Sequence, residues 1–319
     1  MLNSFPMPHI GWRVLSLPEP LSSAAPSLLA FCLTLFMLTC ACSNQRSPVV
    51  GYPPLDLDLK VSRRGADNAP MSFVNSGTSL HGSTRDDVEY ASLLCQKNAS
   101  QSCERQWFEA ELPQRSELLP PFWIDRFEVT NAQFQTCISS GGCPAREEAA
   151  CQRWVNRVWQ PVSEAEALAR SFGRPDQPVV CVTWVDAVAY CAWAGKRLPT
   201  ANEWEKASRG PSAWLYPWGF DLPTCERAQM SSGDVPGCGT EATVNVGSFP
   251  DVQSPFGLFD VSGNAAEWVQ SDAGEGGGVR GGSWRSAAMA LRPAAVGSFP
   301  AGHANIYTGF RCAMTPSSY

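Results

Sequence analysis

The sequence predicts an α+β domain with little regular secondary structure, held together by disulfides. Three observations carry that expectation. Helix and strand signals are short and mixed along the chain, and neither period is sustained. The 319 residues include 26 Gly, 26 Pro and 12 Trp, a composition suited to turns and loops wrapped around aromatic packing. Ten of the 13 Cys lie downstream of an apolar leader, an even number that fits five disulfides in an oxidising compartment. A hydrophobic share of 44% excludes a disordered chain, and a net charge of −6 provides no positive field for a phosphate backbone, so nucleic acid is not an expected partner.

The leader comes first. Residues 28–38 (LLAFCLTLFML) form an uncharged run, preceded by Arg13 and followed by Thr39-Cys40-Ala41-Cys42-Ser43. The run is too short to span a bilayer comfortably and has the length of a signal-peptide core. A small residue followed by Cys resembles the bacterial lipoprotein cleavage site, with Cys42 as the lipid-modified new N terminus. An ordinary cleaved signal and an uncleaved anchor are the other readings. Residues 1–42 are therefore expected to be a lipoprotein signal peptide, with acyl chains on Cys42 holding the protein to a membrane of the bacterial cell envelope, on a periplasmic or outer-membrane face. Residues 43–70 are polar and Pro-bearing and read as a tether. Hydrophobic clusters then recur from Met71 to Met314 with no second linker, which gives one domain at 71–314 and a tail at 315–319.

Within the domain, residues 122–130 (FWIDRFEVT) alternate apolar and polar side chains and read as a strand, followed by a helix over 131–138 that ends before Gly141-Gly142. Residues 178–182 read as a second short strand. Thr183 and Asp186 make a capping-box variant for a helix through Ala194, and Thr200 with Glu203 repeats the device for a helix to Arg209. Gly195 and Gly210 stand where these helices should stop. After that only brief strand-like pieces remain, at 243–246, 279–284 and 310–313. No C-x-x-C occurs, and His81 and His303 are the only histidines beyond the leader, so a zinc cluster, a thioredoxin-like motif or a facial iron triad finds no support.

Taken in order, residues 122–131 (FWIDRFEVTN), 193–200 (WAGKRLPT) with Glu203-Trp204-Glu205, 216–219 (YPWG), 257–264 (GLFDVSGN) with Glu267-Trp268, 280–284 (RGGSW) and 309–312 (GFRC) resemble the successive signature blocks of the formylglycine-generating enzyme, or sulfatase-modifying factor, family. Residues 73–78 (FVNSGT) with Gly82-Ser83 resemble its opening block. The resemblance spans about 71–314. It implies a single compact domain with C-type-lectin-like topology.

It does not by itself imply the family's chemistry. The enzymes this chain resembles bind copper(I) through two thiolates shortly after the R-G-G-S-[WY] block and oxidise a substrate Cys with O2. A soft metal needs soft ligands, and here the two positions fall on Ser286 and Leu291, with no Cys between Cys238 and Cys312. Copper is therefore not an expected cofactor. Iron-dependent ergothioneine-forming relatives carry a His-rich helical domain that these residues do not contain. The resemblance also implies a structural calcium, with side-chain oxygens from Asp260 and Glu267 and carbonyls from Gly263 and Ala265. A second family calcium site expects an Asn where Gln229 stands, and is not carried over.

By the same resemblance Cys191 pairs with Cys312, while the family's second bridge is missing because its first position is Ser208. Cys95 with Cys103 and Cys225 with Cys238 look like local pairs within insertions. Among the three ways to join Cys137, Cys143, Cys151 and Cys181, we choose Cys137–Cys143 and Cys151–Cys181. Trp184, Trp193, Trp204, Trp218, Trp268 and Trp284 read mainly as core, with stacking platforms for a sugar or peptide as the alternative. Three functions follow: a membrane-tethered, non-oxidase module that binds an envelope peptide or glycan; a divergent superfamily oxidoreductase acting on a protein or peptide, using Ser286, Arg285 and a nearby carboxylate; or a structural envelope component. The balance leans away from an enzyme, and no residue stands out as catalytic.

Overall fold

Threonine hydroxyls start the helices. In the computed structural model, which describes residues 59–98, 103, 105–145, 151–163, 173–270 and 277–317, α1 (Arg85–Asn98) opens behind Thr84, whose side chain and backbone exchange hydrogen bonds with Asp87. α2 (Asn131–Ser139), α3 (Trp184–Trp193) and α4 (Ala201–Arg209) open behind Thr130, Thr183 and Thr200 with reciprocal capping boxes to Gln133, Asp186 and Glu203. Each box satisfies two orphan N–H groups, and losing such a cap typically costs about 1 kcal/mol. The leader 1–42, its Cys42 and the first part of the 43–70 segment lie outside the described residues.

The strands sort into four small sheets. β1 (Val61–Arg64), β2 (Ala69–Val74), β5 (Phe122–Asp125) and β13 (Ala313–Met314) form an antiparallel sheet in that order. β3 (Gly77–His81) pairs with β4 (Arg115–Leu119). β6 (Cys151–Val155) pairs antiparallel with β7 (Val158–Pro161) and parallel with β11 (Ala304–Asn305). β8 (Ala266–Gln270), β9 (Gly277–Arg280), β10 (Gly297–Phe299) and β12 (Thr308–Phe310) make a mixed sheet ordered β10-β9-β8-β12. The main core lies where α2 and α3 meet this mixed sheet: Phe134, Tyr190, Trp268 and Phe310 are buried together, and Phe310 meets Phe134 edge-on at 6.3 Å and Tyr190 at 5.4 Å.

Three expectations are corrected. Part of the segment expected as tether is not linker: β1 already belongs to the sheet and Asp67 reaches into the protein, where Lys196 holds it at 2.8 Å together with Asp125 at 2.8 Å. The strand expected over 122–130 stops at Asp125, and all four of its residues are buried rather than alternating; beyond it the Arg126 N–H turns to the Pro70 carbonyl and the Val129 N–H to Phe310. Residues 178–182 make a single bridge, Thr130 to Pro178, and no ladder. Proline has no N–H to give, and the next free donors serve Val129 and Asn305 on two different partners.

Five disulfides staple the irregular parts: Cys95–Cys103, Cys137–Cys143, Cys151–Cys181, Cys191–Cys312 and Cys225–Cys238. Cys191–Cys312 fastens α3 to the chain just before β13. Trp204, Trp268 and Trp284 are almost fully buried, while Trp184 and Trp193 pack at the edge of the core.

Candidate functional site

The R-G-G-S-W block builds a turn that opens a cavity. Gly281 and Gly282 both take left-handed backbone angles (φ 83° and 65°), and a Cβ on Gly282 would sit 2.7 Å from the Ala290 carbonyl oxygen. Only glycine fits there without strain. The turn sends Trp284 inward, where its Nε1 donates to the Ile306 carbonyl at 3.2 Å, and leaves Arg285 and Ser286 on the wall of a pocket of about 400 Å³. Cavities of that size are common for small ligands and single side chains.

The opposite wall is the β6–β7 hairpin. Asn156 and Arg157, at φ 49° and 67°, form its two-residue turn, and Trp154 and Trp159 are direct cross-strand partners with ring centroids 5.2 Å apart. Cys151–Cys181 and the parallel pairing to β11 anchor the hairpin's base. Phe299, Tyr307 and Val279 complete the apolar lining. His303 stacks on Phe299 at 4.8 Å and meets Trp159 at 4.5 Å, and burial lowers its pKa. No Asp, Glu, Asn, Gln or Cys lines the pocket among the described residues.

The two positions where the resemblance implies copper thiolates are brought only partly together. Ser286 lines the pocket, whereas Leu291 is fully buried in a separate cluster with Tyr216 and Met230. The Ser286 hydroxyl accepts from the Ser283 backbone N–H at 2.9 Å and lies 3.4 Å from the Ser283 hydroxyl. It pins a turn, and among the described residues no His or carboxylate hydrogen-bonds to it, so the described structure gives it no base of the kind a nucleophile needs. Each described cysteine is in a disulfide, and Met289 packs against the Val88–Phe108 cluster. Among the described residues the donor set at this pocket does not fit copper(I).

The residues implied as calcium ligands surround a buried acidic centre. Both oxygens of Glu267 are held by Arg311, at 2.6 and 2.7 Å, and Oε2 also accepts from Trp204 Nε1 at 2.7 Å. Glu128 accepts from Asn264 Nδ2 at 2.7 Å and from the Ala265 N–H at 2.9 Å. Asp260, half-buried, accepts from the Gly247 N–H and borders a cleft of about 10 Å³, room for roughly one water-sized particle. Burial pushes Asp260 up to about 6, and burial plus repulsion from Asp260 and Glu267 pushes Glu128 well above the carboxylate range. Three carboxylates face one guanidinium, an imbalance that fits an added cation. Arg311 has already claimed Glu267, and among the described residues no three acidic, His or Cys side chains converge on one metal-sized point. Asp260 with loop carbonyls is therefore the part of the implied set that remains open to a cation. Gln229, at the other position, donates through Nε2 to the Gly237 and Ala242 carbonyls at 2.9 and 2.7 Å, so an amide nitrogen occupies that cradle.

Against known proteins, residues 59–316 match the sulfatase-modifying factor enzyme 1-like domain. The chain belongs to this family. It is 34% identical over 194 residues to the bovine formylglycine-generating enzyme, covering 50% of this chain and 51% of that one. It is 32% identical over 246 residues to the mouse inactive C-alpha-formylglycine-generating enzyme 2, covering 65% and 79%. A hercynine oxygenase from Mycolicibacterium thermoresistibile is 32% identical over 217 residues, 55% and 46%. The chain thus spans about half the length of the bovine enzyme and of the oxygenase. In fold it is similar to PvdO from Pseudomonas aeruginosa (TM-score 0.57, 23% identity, covering 80% of this chain and 97% of that one) and to Treponema denticola variable protein 1 (TM-score 0.54, 18% identity, 82% and 100%). The family's domain here is a mixed α/β unit with C-type-lectin-like neighbours and several disulfides.

Sequence reasoning placed Arg285 and Ser286 on the site and missed Trp154, Trp159, Phe299 and Tyr307. The signal for the hairpin was present: residues 154–159 (WVNRVW) are symmetric about Asn156-Arg157, the pattern of two strands joined by a two-residue turn.

Proposed function

We propose that this domain is a non-oxidase, peptide-binding member of the sulfatase-modifying factor family, carried on the bacterial cell envelope by lipid on Cys42. One observation carries the reading: the pocket at the R-G-G-S-W turn has aromatic walls and no thiol, while its Ser286 hydroxyl accepts from a backbone N–H and has no His or carboxylate partner among the described residues. A peptide side chain suits it better than a glycan. Sugar hydroxyls need carboxylate or carboxamide acceptors, and the described lining offers none. The similarity to mammalian proteins named as inactive formylglycine-generating enzymes is in keeping with a retained fold without the oxidation. Calcium, in this proposal, takes part of its coordination from Asp260 and loop carbonyls and would neutralise charge beside Glu128.

Metal analysis of the purified protein, combined with oxygen uptake on a Cys-containing sulfatase-type peptide, tests this. Calcium without copper and no peptide-dependent uptake is the expected result. Stoichiometric copper with peptide-dependent uptake overturns it.

A further inference from the structure

We propose that the pocket recognises a carboxylate attached to an apolar group, as found at the free C terminus of a peptide ending in a large apolar residue. This rests on the peptide-binding reading and names the chemical feature the same site selects.

Two donors converge at the pocket wall. The Tyr307 hydroxyl oxygen accepts from the Trp154 backbone N–H at 3.1 Å and from Arg285 Nη1 at 3.1 Å. With both acceptor positions filled, the phenolic proton has to be donated elsewhere. Tyr307, Trp154 and Arg285 all line the pocket, which points that proton's use toward a ligand. Arg285 is exposed, its guanidinium carbon 5.9 Å from the Tyr307 ring centroid. Among the described residues it has no carboxylate partner, and its remaining N–H groups are available. A guanidinium and an O–H donor side by side, with no carboxylate or carboxamide in the described lining, select an anion, and a carboxylate can accept from both. Arg280, the pocket's other cation, is committed to the Ala294 and Ala295 carbonyls.

The rest of the cavity selects the apolar part. Trp154, Trp159 and Phe299 offer ring faces and edges, and Val296 lines the pocket beside them, 46% accessible. A group of the size of a Phe side chain fills about 400 Å³ only in part, leaving room for the preceding residue's side chain. A free amphipathic acid carries the same chemistry as a peptide terminus, and the two differ in what lies N-terminal to the carboxylate-bearing unit.

The test titrates the full chain, purified in detergent, with acetyl-Ala-Ala-Phe as the free acid, its C-terminal amide, and acetyl-Phe, following heat and tryptophan emission. The free acid is expected to bind about tenfold or more tightly than the amide at neutral pH. Arg285→Gln should remove that preference, and Tyr307→Phe should reduce it several-fold. Tighter binding of the tripeptide acid than of acetyl-Phe assigns a peptide terminus, and equal binding assigns a free apolar acid; both outcomes support carboxylate recognition. Equal affinity for acid and amide overturns the inference and leaves the peptide-binding reading standing. Failure of all three ligands, with unchanged emission, overturns both.

Discussion

The hairpin that carries Trp154 and Trp159 is tied to the domain mainly by Cys151–Cys181, and replacing both cysteines by Ala tests how far that bridge pre-organises the pocket. The closed loop has a sequence separation of 30, for which the chain-entropy account gives about 3.5 kcal/mol of stabilisation at 25 °C. Cys151 is 2% exposed in a cluster with Trp284 and Tyr307, so trimming its sulfur adds a packing loss of about 1 kcal/mol. Urea unfolding followed by circular dichroism should therefore show a loss of about 3–5 kcal/mol. The hold that remains includes two parallel residue pairs to β11, the Trp154 N–H to Tyr307 and the ring contacts of Trp159 with Phe299 and His303. Tryptophan emission should accordingly report an earlier transition in the variant than circular dichroism does. A loss below about 1 kcal/mol, with coincident transitions, would refute the reasoning, because the hairpin would then be held by contacts other than the bridge.

Other perturbations follow from the buried charges. Burial, opposed by Lys196, raises Asp125 from 3.8 to about 6. Between those values the folded protein keeps a proton that the unfolded chain releases, so this group's contribution is full below pH 4 and is lost as pH rises through 6; Asp125→Asn should flatten that part of the stability–pH curve. Arg292 meets Glu111 at 2.6 and 2.8 Å in the interior. Arg292→Met should cost about 3–5 kcal/mol in urea unfolding, and adding Glu111→Gln should restore much of it. Calcium at a hundredfold excess over its Kd should stabilise the protein by about 2.7 kcal/mol, read as a rise in Tm, and Asp260→Asn should abolish most of that gain.

What the sequence made legible was local. Thr183 with Asp186 and Thr200 with Glu203 announce their helices because cap and partner stand three residues apart. The ordered signature blocks identified the family because each is a contiguous string. Asp67 gave no such sign: its role depends on Lys196, 129 residues away, so a stretch that looks like linker is part of the sheet. The pocket was half visible for the same reason. Arg285 and Ser286 belong to a recognisable block, but Trp154 on β6, Phe299 on β10 and Tyr307 between β11 and β12 meet only through tertiary structure. Residues 178–182 show the reverse error, where apolar β-branched residues imply a ladder that Pro178 and divergent partners prevent.

A domain whose described cysteines are all bridged has no reduced thiol to offer a soft metal. Alkylation of the unreduced, denatured protein, mapped peptide by peptide in a mass spectrometer, tests it most directly. All ten cysteines from Cys95 to Cys312 should escape labelling until reductant is added, whereas a labelled pair before reduction would contradict the claim.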